Sequence, residues 1–122
     1  FGAGLLEALS QVMVDQTSTL LIACDTTYPE PLHQARPIPD EFGIGLALAP
    51  QRSVNSLARI RVSLTSARAD QMTDIALENL RTAIPAARGL PLLRAVANRA
   101  SATLVIDYLG TTRLAVEIDS WA

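Results

Sequence analysis

Apolar and polar residues follow several distinct rhythms along this chain. Leu5, Leu6, Leu9, Val12 and Met13 recur at the helical period, which predicts an amphipathic helix over 2–14 with Glu7 and Gln11 facing out. Thr19 to Cys24 is an unbroken apolar run bounded by polar residues. That is the composition of a strand covered on both faces, as in a parallel sheet. Gly43 to Ala49 alternates small and large residues and stops at Pro50, which reads as a second buried strand. Ala58, Ile60, Val62 and Leu64 then alternate with Arg59, Arg61 and Ser63, a period of two with one dry face. Only a short polar turn separates these last two strands, so they are predicted to pair antiparallel over Gly43 to Thr65.

Asp70 to Ile84 reads as a helix, with Met72, Ile75, Ala76 and Leu80 on one side and Asp70, Asp74 and Glu78 on the other. Pro85 stops it. A shorter helix is predicted from Pro91 to Asn98, with Pro91 suited to the first turn. Thr103 to Leu109 and Arg113 to Asp119 flank "GTT" and read as a hairpin. The predicted class is therefore α/β, with a mixed sheet flanked by helices.

Between the first two strands lies "CDTTYPEPLHQARPIPDEFG", Cys24 to Gly43, which holds Pro29, Pro31, Pro37 and Pro39. Connections in α/β units are ordinarily short, and a long one has a function or belongs to a larger assembly. Each proline fixes φ and removes a donor, so this loop is predicted to be extended and solvated.

At 122 residues the chain is read as a single domain, 1–122. Apolar residues make up 49% of it, more than a monomer of this size needs, which points to a buried oligomer or partner surface. Net charge is −2 and the arginines are scattered, so nucleic acid is a poor partner. All 10 basic residues are arginine, which excludes a lysine nucleophile or Schiff base. Cys24 is the only cysteine, so an internal disulfide is impossible and a reducing cytoplasm is expected. No apolar run approaches the roughly 18 residues of a membrane span. The chain opens on Phe1 directly in a helical pattern, as expected of a piece whose N-terminus lies upstream.

Candidate chemistry is sparse. His33 is the only histidine, and Glu30 and Asp40 lie near it in sequence as groups able to polarise a general base. Cys24 and His33 could form a nucleophile and base pair. Against this, a loop histidine is ordinarily solvated, and a cysteine ending an apolar run ordinarily packs as a small hydrophobe. Asp25 follows the strand at the edge where α/β sheets place ligands, or it caps the backbone amides of its own loop. "FGAG" and "FGIG" do not complete a nucleotide-binding glycine pattern. Arg59 and Arg61 could receive a phosphate, although an exposed strand face is the ordinary role. Asp70, Asp74 and Glu78 read as a solvated face. One histidine and one cysteine leave no metal centre to expect.

Three stretches carry a family resemblance: "FGAGLLEALSQVM", "LLIACDTTYPEPLHQARPIPDEFGIGLALAP" and "ATLVIDYLGTTRLAVEI". They resemble the β-ketoacyl synthase N-terminal-like family, in its short branch associated with aryl polyene and xanthomonadin-type pigment pathways. The match is specific over residues 1–50 and thinner over 51–102. It implies part of a thiolase-like half, with residues 1–122 as the C-terminal part of such a domain. It also implies that Leu20–Ala23 lies inside a sheet that includes Gly43–Ala49. The family is of acyltransferase type, yet the ketosynthase cysteine would lie before Phe1, and Cys24 is not its counterpart. The two histidines and the lysine of a ketosynthase belong to a later half. No catalytic residue and no cofactor is therefore carried across.

The implied function is a non-catalytic or incomplete ketosynthase-like subunit, comparable to a chain-length factor, in polyketide or fatty-acid-like pigment synthesis. Its expected partners are a ketosynthase subunit and an acyl carrier protein, whose phosphopantetheine thioester would be the substrate. Phe1, Tyr28 and Phe42 are the candidates to line an acyl or partner surface. The alternative is a small stand-alone thioester hydrolase or acyltransferase that uses Cys24 or Asp25 with His33.

Overall fold

Leu5, Ala8 and Val12 form the buried stripe of helix α1, Gly2–Asp15; of the predicted apolar side Leu5 and Val12 are buried and Leu6 and Leu9 half-buried, whereas Met13, in the last turn, is 68% exposed. A computed structural model describes residues 1–121. After α1 come β1 Thr19–Asp25, α2 Leu32–Ala35, β2 Phe42–Leu48, β3 Ala58–Thr65 and α3 Ile75–Ala83. A 3-10 turn, Pro85–Gly89, leads into α4 Leu90–Ala97, and β4 Ala102–Leu109 and β5 Thr112–Ser120 complete the chain. Helices and strands are thus mixed as the α/β reading expects.

The strand pairing differs from the expectation. There is no single mixed sheet. β1 and β2 form a two-stranded antiparallel ribbon, and β3, β5 and β4 form a separate three-stranded antiparallel sheet in that order. β2 therefore does not pair with β3. The register gives the reason. β3 sets Arg59 opposite Asp119 and Arg61 opposite Glu117, and both guanidinium groups bond those carboxylates. The same register sets Ile60 opposite Ile118 and Val62 opposite Val116 in the main core, which is the larger contribution, since the two ion pairs are solvent-exposed. β2 instead sets Leu46 and Ile44 opposite Leu21 and Ala23 of β1. Arg59 and Arg61 lie on an exposed strand face, their ordinary role, and the phosphate or acidic partner they could have received is replaced by Asp119 and Glu117 of β5.

The main core gathers around β5. Leu114, Val116 and Ile118 are buried with Leu104 and Ile106 of β4, Leu92 and Ala95 of α4, and Leu5 of α1. Ala58, Ile60 and Val62 of β3 pack against them, but Leu64, in the same alternating set, stays exposed. The β4–β5 hairpin turns at Gly110, whose φ of +56° is one that few side-chain-bearing residues adopt. A second cluster joins Ile38, Met72, Ile84, Ala86, Ala87 and Leu90.

Ile38 corrects the picture of the proline loop. Its side chain is 1% exposed, and α2 interrupts the loop, so the segment is neither fully extended nor fully solvated. The sequence Pro37-Ile38-Pro39 suits this burial. A proline has no backbone donor to leave unpaired when the neighbouring apolar side chain is pulled inside.

The acidic stripe also has structural work. α3 begins at Ile75, so Asp70 is not on the helix. The Val105 amide donates to Asp70 Oδ2 at 2.6 Å, and the Asp70 amide donates to the Val105 carbonyl. Asp74 caps α3 by accepting from the Leu77 amide at 3.0 Å. Glu78 accepts from the Met72 amide at 2.7 Å and pairs with Arg81. Ile75, predicted on the apolar side, is 79% exposed at the helix start.

Arg81 is the buried charged side chain among the described residues. Its Nε and Nη2 donate to Glu78 at 2.8 and 2.6 Å, and its Nη1 donates to Asp107 of β4 at 2.9 Å. The fork therefore ties α3 to the main sheet. Removing the guanidinium strands two carboxylates that it had satisfied. Arg81→Met is expected to lower the unfolding free energy by about 2 kcal/mol in urea titration. A change below about 0.5 kcal/mol would show the fork to be dispensable.

The same fork sets a pH dependence. The Arg81 hydrogen bond, aided by the Met72 amide, lowers the Glu78 carboxyl from its ordinary 4.5 to about 2. A folded pKa below the unfolded one adds stability above the unfolded value, and that contribution is lost as pH falls through the folded value. The urea midpoint should therefore drop between pH 4.5 and about 2, and Glu78→Gln should flatten that slope. An unchanged slope in Glu78→Gln would assign the acid sensitivity to other carboxylates.

Candidate functional site

β1 is apolar from Leu20 to Cys24, yet only alternate residues are covered. Leu21 and Ala23 face inward and pack against the two core clusters. Leu20, Ile22 and Cys24 face outward, with Leu20 63% and Ile22 66% exposed. The expectation of a strand buried on both faces inside a larger sheet is therefore corrected: β1 has β2 on one edge and cover on one face.

The outer face has a definite relief. The register sets Leu20 opposite Ala47, Ile22 opposite Gly45, and Cys24 opposite Gly43. Large side chains thus run along β1 and small ones along β2. A Cβ added at Gly43 would meet nothing closer than the Cys24 Cβ, at 3.9 Å, so this side is open. The result is a step of uncharged surface, a ridge beside a flat floor. Fully covering an exposed leucine or isoleucine is worth about 1–2 kcal/mol at this degree of exposure.

The inner side is fixed by polar contacts. The Ala86 amide, in the 3-10 turn, donates to Asp25 Oδ2 at 2.7 Å. Asp25 therefore caps a turn far along the chain and not the amides of its own loop. Thr26 Oγ1 donates to Glu41 Oε1 at 3.1 Å and ties the two ends of the proline loop together. Tyr28 and Phe42 are half-buried, each packed against the second cluster, as Ala23 is. Phe1 is elsewhere: it packs on the main core, with its ring against Gly89.

The three residues of the alternative chemistry are not joined. Strand alternation turns Cys24 and Asp25 to opposite faces of β1. His33 lies on α2, where its amide donates to the Pro29 carbonyl at 3.2 Å and its Nδ1 is buried without a partner among the described residues. Two surface concavities do exist. One is lined by Arg81, Thr82, Arg88, Asp107 and Tyr108, the other by Val54, Leu57, Val96, Arg99 and Trp121. None of Phe1, Cys24, Asp25, Tyr28, His33 or Phe42 lines either. Among the described residues no group of three His, Cys, Asp or Glu side chains is placed to hold a metal ion. No described helix is long and apolar enough to cross a membrane.

Sequence reasoning missed Ile38 as an anchor and missed the outer face of β1 as a surface. The signal for the first was its place between two prolines. The signal for the second was the run of small residues at alternate positions of β2, opposite the larger alternate set of β1.

Asp25→Ala is expected to cost about 1–2 kcal/mol and to speed hydrogen exchange at the Ala86 amide. Asp25→Asn, which keeps an acceptor, should lose less. Unchanged protection of Ala86 in Asp25→Ala would remove the cap from the account.

Comparison with protein-family models, with curated proteins and with solved structures finds no match to this chain.

Proposed function

We propose that the chain is part of a non-catalytic ketosynthase-like subunit that acts by association. It pairs with a ketosynthase subunit and, with that partner, serves an acyl carrier protein in polyketide or fatty-acid-like pigment synthesis. One observation carries the reading: β1 has the composition of a doubly covered strand, but Leu20, Ile22 and Cys24 are uncovered. The stretch that resembles condensing enzymes, residues 1–50, is the stretch that ends in this open apolar ribbon. A partner surface accounts for both facts.

The reading makes a demand on the assembled protein. The family resemblance implies that β1 is interior to a sheet, and here it lies at the margin of a two-stranded one. This margin position departs from what the resemblance implies, and the proposal meets it with a partner element against β1 or over its outer face. No catalytic role is given to Cys24, Asp25 or His33 in this reading. Tyr28 and Phe42 pack against the second cluster, to which the inner side of the ribbon is also joined through Ala23.

Cys24 supplies a footprint, because it sits on the face in question and is the only thiol. The chain is mixed with a ketosynthase encoded nearby and run on size exclusion with light scattering, and Cys24 is labelled with a maleimide. Co-elution and labelling slowed about tenfold are expected, since a covered thiol reacts more slowly. Leu20→Ser with Ile22→Ser should abolish both effects. Independent elution with full-speed labelling sinks the proposal.

A further inference from the structure

The three-stranded sheet has two margins, and they are finished differently. The outer edge of β4 is closed: Asp70 and Val105 exchange two hydrogen bonds, and the register shifts between Asp107 and Leu109. Covering segments and bulges of this kind stop a further strand from pairing. β3 forms the other margin. It runs 8 residues, Ala58–Thr65, with no proline and an unbroken register against β5. The Trp121 amide donates to the Leu57 carbonyl in line with that register, so the odd-numbered residues of β3 turn their backbone groups to β5. The amides and carbonyls of Ala58, Ile60, Val62 and Leu64 therefore point to the open margin. None of them has a backbone partner there among the described residues.

The side chains of this strand make it complementary to itself. Ala58, Ile60 and Val62 on the inner face are half-buried, and Leu64 beyond them is exposed. On the outer face Arg59 and Arg61 occupy the first half, and the hydroxyls of Ser63 and Thr65 the second. Reversed against a copy of itself about Val62, the strand sets Ile60 opposite Leu64 and Val62 opposite Val62. The same register sets Arg61 opposite Ser63 and Arg59 opposite Thr65. A slip in one direction brings Arg61 opposite Arg61, and like charges directly opposite are unfavourable. A slip in the other direction leaves Ile60 opposite Ser66. One antiparallel register thus satisfies the backbone, the apolar face and the charges of this margin together.

We infer that β3 pairs antiparallel with β3 of a second copy of this chain, about a twofold axis at Val62. The interface is isologous, as a twofold dimer requires, and it joins the two three-stranded sheets into one. Val62 faces Val62 and Ile60 faces Leu64 as hydrogen-bonded pairs, each exchanging both of its N–H···O bonds. Ile60, Val62 and Leu64 of both copies then form one apolar strip. Each outward-facing arginine keeps its carboxylate on β5. Neither β1 nor β2 takes part, so the pairing does not rest on the ketosynthase-like reading.

Size exclusion with light scattering over a dilution series measures the association, and a dimer that dissociates on dilution is expected. Ser63 is exposed on the outer face, so its substitution spares the monomer. Ser63→Arg opposes Arg61 of the second copy and should weaken the dimer about tenfold. Ser63→Asp should tighten it, and added salt should shrink both effects. Disulfide formation in a Cys24→Ser background reads the register. Arg61→Cys mixed with Ser63→Cys places two Cα atoms about 4.5 Å apart across the margin, within disulfide range. Either variant alone sets its cysteines on a diagonal about 7–8 Å apart, too far to bridge. Cross-linking in the mixture alone is the expected result. A monomer at every concentration overturns the inference, as does a dimer indifferent to both Ser63 changes. Equal cross-linking of either variant by itself also overturns it. So does a dimer abolished by Leu20→Ser with Ile22→Ser but formed equally by Ser63→Arg, which would assign self-association to the ribbon.

Discussion

The β1–β2 ribbon is held by its inner face alone, and the arrangement of the molecule follows from that. Two strands by themselves are at best marginally stable in water. This pair persists because α1 and the 3-10 turn close over one side. Helix α1 reaches both sheets. Its Gly4 lies against the Leu21 side chain, and its Gly2 meets the Asp107 carbonyl of β4 so closely that a side chain could not be accommodated. Leu5, the next residue after Gly4, is fully buried in the main core. The Asp25–Ala86 hydrogen bond then fixes the far end of β1. With the inner side committed in this way, every alternate residue of β1 must face out.

Charged side chains in this fold are mostly used as fasteners. Arg81 ties α3 to β4, Asp74 starts α3, and Asp70 bonds the outer edge of β4. Arg59 and Arg61 pair with Asp119 and Glu117 across the exposed face of β3 and β5. This matters for function because it sorts used charge from unused charge. Groups that satisfy one another across elements are accounted for by the fold.

Much of the local structure was legible in the sequence. The helical period gave α1 nearly residue for residue, and the apolar rhythm gave all five strands, including the β4–β5 hairpin. Pairing was not legible. Proximity in sequence favoured β2 with β3, but the choice depends on cross-strand matches 60 residues apart, such as Arg59 with Asp119. Asp70, Asp74 and Glu78 lie at helical spacing and so read as one solvated face. Spacing cannot reveal that the helix begins only at Ile75. Cover was the hardest property to read. A continuous apolar run such as Leu20–Ala23 says that both faces suit burial, and does not say that both are buried.

That last gap bears on whether this chain does chemistry or makes contacts. A reactive thiol needs a cation, a base or a helix N-terminus beside it. Cys24 has Ile22 along its own strand face and Gly43 across the pair. Those neighbours do nothing to activate a nucleophile, and they are what a packing surface requires. The one histidine is kept on α2, and the adjacent carboxylate points to the other face and is bonded to Ala86. The side chains suited to catalysis are therefore separated or engaged, while apolar side chains lie uncovered on a supported strand. That distribution is what the proposal of association rests on, and the ribbon's relief, ridge beside floor, is the shape that a proposed partner would have to match.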